Sequence, residues 1–131
     1  MSKAEKAVEY KHSGYNCAQA VLAAYADELS LDDDTLKAMG AAFGVGMGTF
    51  EATCGALCAA QMILGLKKYM GRPILSDAKE VCHEFKDLCG SIKCSELKGI
   101  GTGKMLCSCD DCVRNAVKVL EQHINKESTP K

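Results

Sequence analysis

Nine cysteines set the chemistry of this 131-residue chain: Cys17, Cys54, Cys58, Cys82, Cys89, Cys94, Cys107, Cys109 and Cys112. In a secreted protein such a number reads as a disulfide framework. Here the count is odd, and the start from Met1 to Ser13 is polar and charged, with no apolar core of an export signal. The chain is also long enough to fold without cross-links. These features point to a reducing cytoplasm, where cysteines are more often metal ligands or redox groups than bridges.

The positions of four cysteines matter most. Cys17 follows Asn16, a good helix cap; Cys54 follows Thr53; Cys109 follows Ser108; Cys94 precedes Ser95, which can cap a short turn. All four therefore fall at or beside expected helix N-termini. Free N–H groups and the helix dipole there favour negative charge, so thiol pKa values fall. Thiolates ligate metals and attack disulfides, and N–H donors suit an anionic iron–sulfur cluster.

The other five read differently. Cys58, Cys82 and Cys89 suit the filling of an apolar core. Cys58 also lies one helical turn from Cys54, a spacing poor for a disulfide but compatible with a shared metal. Cys107-x-Cys109-x-x-Cys112 is the densest group. Its middle residues, Asp110 and Asp111, raise a neighbouring thiol's pKa, and the strand context of a thioredoxin-type centre is missing. Val113 stands where a c-type haem site needs histidine. Cys89/Cys94 and Cys109/Cys112 supply four thiols for zinc, without the spacing of a known zinc module. Candidate redox thiols are thus Cys54, Cys58, Cys109 and Cys112. His12 and His123 are expected to face solvent; His83, next to Cys82, is a ligand candidate but is expected to lie on a helix surface.

These residues need helices to position them. Apolar residues make up 47% of the chain, aromatics are few and Trp is absent, so the core must be built from Ala, Leu, Val, Met and Ile, which suits packed helices. The pattern predicts helices over 3–11, 17–29 and from a capping box at Ser30–Asp33, the last carrying Leu36, Met39 and Phe43 on one face. A central helix over 53–70 carries Leu57, Ile63, Leu64 and Leu66. Further helices follow over 76–88, capped by Ser76, and 109–125, capped by Ser108, with a short turn at 95–97. Val113, Ala116, Val117 and Leu120 mark the buried stripe of the last. Gly44 to Gly48 reads as a tight loop where the backbone approaches something closely. The fold class is all-α, a small bundle of about five to six helices in one domain over 1–131, with 127–131 a disordered tail.

A net charge of −1 without a basic stripe argues against nucleic acid. The longest apolar stretch, Ala56 to Leu66, is broken by Gln61 and too short to insert in a membrane. The glycine run lacks the preceding strand that would make it a nucleotide loop.

Five ordered blocks carry a family resemblance: Gly14-Tyr15-Asn16-Cys17-Ala18-Gln19-Ala20-Val21, Thr53-Cys54-Gly55-Ala56-Leu57, Leu64-Gly65-Leu66, Gly90-Ser91-Ile92-Lys93-Cys94-x-Glu96-Leu97-x-Gly99 and Cys109-x-x-x-Val113. Over about residues 8–122 the chain resembles the bacterial and archaeal C_GCAxxG_C_C family of redox-type proteins, which has four hallmark cysteines. More distantly it is similar to the iron–sulfur portion of split-Soret-type cytochromes. The resemblance implies hallmark ligands at Cys17, Cys54, Cys94 and Cys109, with Cys58 and Cys112 as spares. The motif's last glycine is Ala59 here, and Cys58 precedes it.

The leading expectation is electron transfer through an iron–sulfur or related metal centre held by those four cysteines, with the Gly44–Gly48 loop packed over it. Reversible thiol–disulfide chemistry, as carrier or sensor, is a second reading. A structural zinc protein with an interaction role is a third, and inert buried cysteines without a cofactor a fourth. A redox partner protein is implied by the first two, and a centre shared across a homodimer is compatible with all the metal readings.

Overall fold

The computed structural model describes residues 2–125, so the expected tail at 127–131 lies outside the described residues. Eight helical segments follow in order: α1 (Lys3–His12), α2 (Cys17–Ala24), α3 (Asp33–Gly40), α4 (Gly44–Met47), α5 (Gly55–Lys68), α6 (Leu75–Cys89), α7 (Cys94–Lys98) and α8 (Cys109–Asn125). A 3-10 turn over Ala26–Glu28 sits between α2 and α3. Among the described residues the only extended pairing is one antiparallel bridge, Thr53 with Lys93. The all-α bundle is as the composition predicts.

α2 is the hub. Ala18, Ala20, Val21, Leu22, Ala23 and Ala24 are all buried, so the helix is apolar on nearly every side. Its small side chains let it pack against α1, α3, α5 and α8 at once. α5 lies beside it with Ala56, Leu57, Ala59, Ala60, Ile63 and Leu64 buried. α8 closes the bundle against α1, α5 and α6, through the expected stripe of Val113, Ala116, Val117 and Leu120. Arg114 ties α8 to α1 through Glu5, 2.9 Å away.

Several local expectations change. The second helix stops at Ala24 rather than continuing to Leu29: Tyr25 turns into the core, and Lys3 Nζ donates to the Ala24 carbonyl. Asp32 caps α3 by accepting from the Thr35 N–H. Ile74, not Ser76, precedes α6 at the cap position. Thr53 is taken up by the bridge to Lys93, which leaves Cys54 itself at the N-cap of α5. Leu66, expected in the central helix core, is exposed.

Gly44–Met47 is a left-handed turn. Val45 (φ 57°, ψ 46°) and Gly46 (φ 58°, ψ 52°) occupy the αL region, as does Met47 by its φ of 56°. Successive left-handed L-residues cost roughly 1–2 kcal/mol each, so the surrounding packing must hold them there. The Gly48 N–H to Gly44 carbonyl and Phe50 N–H to Val45 carbonyl bonds, both 2.9 Å, close the turn.

Asn16 joins three of these elements. Its Oδ1 accepts from the Gln19 N–H at 2.7 Å, Gln19 Oε1 accepts from the Asn16 N–H at 3.0 Å, and Asn16 Nδ2 donates to the Gly40 carbonyl at 3.1 Å. The capping box starts α2 next to Cys17, and the third bond fixes the end of α3. Replacing Asn16 by Ala should therefore cost about 1–3 kcal/mol, a cap plus one further hydrogen bond. Urea unfolding of the reduced chain should show a lower midpoint at unchanged slope; an unaltered midpoint would contradict this role.

Candidate metal and redox centre

Four helix starts bring their cysteines to one place. Cys17 opens α2, Cys94 opens α7, Cys109 opens α8, and Cys54 caps α5. The bridge between the Ala52–Cys54 and Ile92–Cys94 segments sets two of them side by side: the Cys54 N–H donates to the Ile92 carbonyl at 2.8 Å, and the Cys94 N–H to the Ala52 carbonyl at 3.0 Å. Ser108 Oγ accepts from the Asp111 N–H at 3.1 Å and starts α8 where expected. One pocket is lined by Cys17, Cys54, Cys94, Cys107, Cys109 and Cys112, with Val45, Leu97 and Lys98 among the rest of its wall.

The tightest grouping is one that the sequence did not single out. The sulfurs of Cys89, Cys107 and Cys112 all lie within 4.8 Å of one another, and all three residues are buried. Three thiols this close can share one metal ion. Cys89 is the last residue of α6. Cys107 sits in the loop before α8, held by its N–H to the Leu97 carbonyl at 3.2 Å. Asn115 Nδ2 donates to Cys89 Sγ at 3.3 Å. Cys112 links the two groups, because it faces both Cys54 and Cys89. Seven thiols thus form one continuous cluster. Cys58, expected as a spare ligand, does not line the pocket. It lies half-buried on α5, interacting with Cys54 and Cys82, and Gln61 Nε2 donates to Cys82 Sγ at 3.4 Å.

Backbone geometry makes this density attainable. A side chain at Gly55 would place its Cβ 2.4 Å from the Phe43 carbonyl oxygen and 2.7 Å from Cys17 Sγ. At Gly46 a Cβ would fall 2.7 Å from Cys94 Cβ. The left-handed turn therefore packs over the site as expected, and the Val45 N–H reaches Cys17, favouring its charged form.

The electrostatics divide the thiols by role. Cys54 is held as a thiolate, its pKa lowered to about 3 by hydrogen bonds from Cys112 and Cys17 and by the N–H groups of Leu57 and Ala56. Those two partners are pushed the other way: hydrogen bonding to Cys54 and burial keep Cys17 and Cys112 protonated. Cys89 falls to about 6 through Cys112, then Asn115 and Cys107. Cys107 rises to about 12, chiefly from burial. Among the described residues Lys98 is the one cation in the pocket wall; burial opposes its charge, but its hydrogen bond to Cys109 and its position facing Cys94 and Cys17 outweigh that and raise its pKa.

Among the described residues the donor set is all sulfur, with no imidazole or carboxylate in the pocket wall. That chemistry suits soft centres: iron–sulfur, zinc or copper(I). The residues present fit such a group. Of the histidines, His12 pairs with Asp110 at 2.8 Å and His83 is exposed. His123 corrects the expectation of solvent exposure: it is 2% exposed and lies against α6.

The sign of the pH effect follows from Cys54. Its folded pKa lies below the ordinary thiol value of 9.0. Its stabilisation is therefore fully present above pH 9 and lost as pH falls toward 3. In the reduced, metal-free chain, the stability gap between wild type and Cys54→Ser should widen from pH 5 to pH 9. Urea midpoints across that range test this, and a gap that is flat or narrows with rising pH would contradict a native thiolate.

No curated protein and no solved structure matches the chain. Among the described residues no helix is long and apolar enough to cross a membrane. Residues 15–123 match the family described as "Putative redox-active protein (C_GCAxxG_C_C)", a span that includes all nine cysteines and the pocket they line. The chain belongs to this C_GCAxxG_C_C family.

Proposed function

We propose that this protein transfers electrons through a cysteine-ligated iron–sulfur or related metal centre. The observation that carries this reading is the gathering of seven thiols at one buried site beside Lys98. A cluster of this size exceeds what one disulfide exchange centre uses. Thiolates bound there need more positive charge than Lys98 supplies, and a metal centre supplies it. The hallmark four, Cys17, Cys54, Cys94 and Cys109, are the first ligands proposed; Cys112 and the Cys89–Cys107 pair complete the sulfur shell. When bound, the centre supplies one-electron chemistry at a potential tuned by N–H donors and burial. The helix starts orient the sulfurs, Gly55 and the left-handed turn exclude bulk around Cys17, and Lys98 offsets charge at Cys109. Electrons would pass to and from a redox partner protein near the half-buried Cys17 and Cys109.

A second reading has its own support. Cys54, poised as a thiolate beside the protonated Cys17, is a nucleophile–partner pair. Joining the two would pass two electrons and the Cys17 proton to a disulfide substrate, which is reduced to one thiol and one thiolate, the latter taking its proton from water.

Anaerobic reconstitution with ferrous iron and sulfide separates the readings. The proposal predicts a brown protein whose visible and paramagnetic-resonance signals respond reversibly to reduction. Cys54→Ser and Cys17→Ser should each lose most of the bound iron, while Cys58→Ser and Cys82→Ser keep it. A colourless protein with reducible disulfides would favour the second reading. Iron retained in both Cys54→Ser and Cys17→Ser would remove the proposed site.

A further inference from the structure

The far end of the α6–α8 pair holds a second cluster of ligand-type side chains. α6 presents Asp77, Glu80 and Glu84, spaced so that they share one face. α8 presents His123 from its last turn. Eleven residues separate His123 from Cys112 on the same helix, about 16 Å of axial rise, so this cluster is remote from the thiols.

His123 is the informative residue. It is 2% exposed, and its Nε2 lies 2.6 Å from Glu84 Oε2. A carboxylate accepts, so Nε2 carries the proton. In the neutral form of the ring, the lone pair then sits at Nδ1. That atom is buried and, among the described residues, has no hydrogen-bond partner. Its neighbour is a carboxylate oxygen, Glu80 Oε2, at 3.9 Å, which is too long for a hydrogen bond from a protonated ring. Ligand atoms of Asp77, Glu80 and His123 all lie within 4.8 Å of one another. Lys68 Nζ stands 3.9 Å from Asp77 Oδ2 and also lacks a hydrogen-bond partner.

We infer that Asp77, Glu80 and His123 Nδ1 form a second metal site, for a divalent first-row transition ion of the zinc, cobalt or nickel type. One nitrogen and two carboxylates select such ions over the soft centres that suit the thiols. Metal–ligand bonds of about 2.0–2.2 Å require the three groups to close in by about an ångström, which the exposed Glu80 and the partly exposed Asp77 can do. Glu84 is the positioning residue: it fixes the tautomer and aims Nδ1, as in carboxylate–histidine–metal arrangements.

Cobalt(II) titration of the full-length reduced chain tests this. Cobalt on cysteine gives intense thiolate charge-transfer absorption; cobalt at this site does not. The site should take one equivalent that adds none of that absorption and that shifts the His123 Nε2–H proton resonance far outside the diamagnetic range. Glu84→Gln should weaken that equivalent about 10–100-fold. Because His123 is buried, the deciding variant is Asp77→Asn/Glu80→Gln, which should lose the shifted resonance and leave the charge-transfer bands unchanged. If all bound cobalt gives thiolate absorption with no shifted imidazole, or if the double variant binds as wild type does, the inference is overturned. Neither outcome depends on whether the cysteines hold iron.

Discussion

Thiolates gathered out of water repel one another, and the rest of the structure answers that constraint. Each sulfur is given a donor, a proton or an opposing charge. Cys54 takes N–H groups from the first turn of α5 together with two thiol protons. Cys89 takes Asn115, and Cys109 takes Lys98. Without a metal, the arrangement survives by keeping Cys17, Cys107 and Cys112 protonated beside their charged neighbours. The proposed centre would replace those protons with metal charge.

Crowding the sulfurs demands backbone in places that side chains forbid. Gly55 lets α5 start against the Phe43 carbonyl and Cys17, and Gly46 lets the left-handed turn approach Cys94. Val45 and Met47 adopt αL without the freedom of glycine. Their strain is held by the turn's own hydrogen bonds and by contacts with α2, α5 and α7. Rigid α2, buried on nearly every side, is the frame that holds them.

Much of this was written in local sequence. Alanine and leucine fixed the helical class, and Asn16 and Ser108 act as caps where their residue type predicts. The four cysteines at helix starts all line one pocket, because an N-terminus is where a thiolate is best stabilised. Cys89 and Cys107 carried no such signal. One ends a helix and the other sits in a loop, and only the folding of α6 and the 97–107 contacts against α8 brings them to Cys112. The burial of His123 is legible too: the buried stripe Val113, Ala116, Val117, Leu120, extended by three, reaches it. The left-handed turn was foreseen as a close approach through its glycines, but positive φ at Val45 and Met47 depends on tertiary packing that spacing does not encode.

The central claim is that the thiol cluster holds a metal centre, and native mass spectrometry of the chain purified without oxygen addresses it most directly. The account predicts a folded species heavier than the polypeptide by iron and sulfide. On denaturation it should fall to the mass of a chain with nine free thiols. A native mass with no metal, lower than the reduced polypeptide by two hydrogens for each disulfide, would contradict it and assign the cluster to thiol exchange.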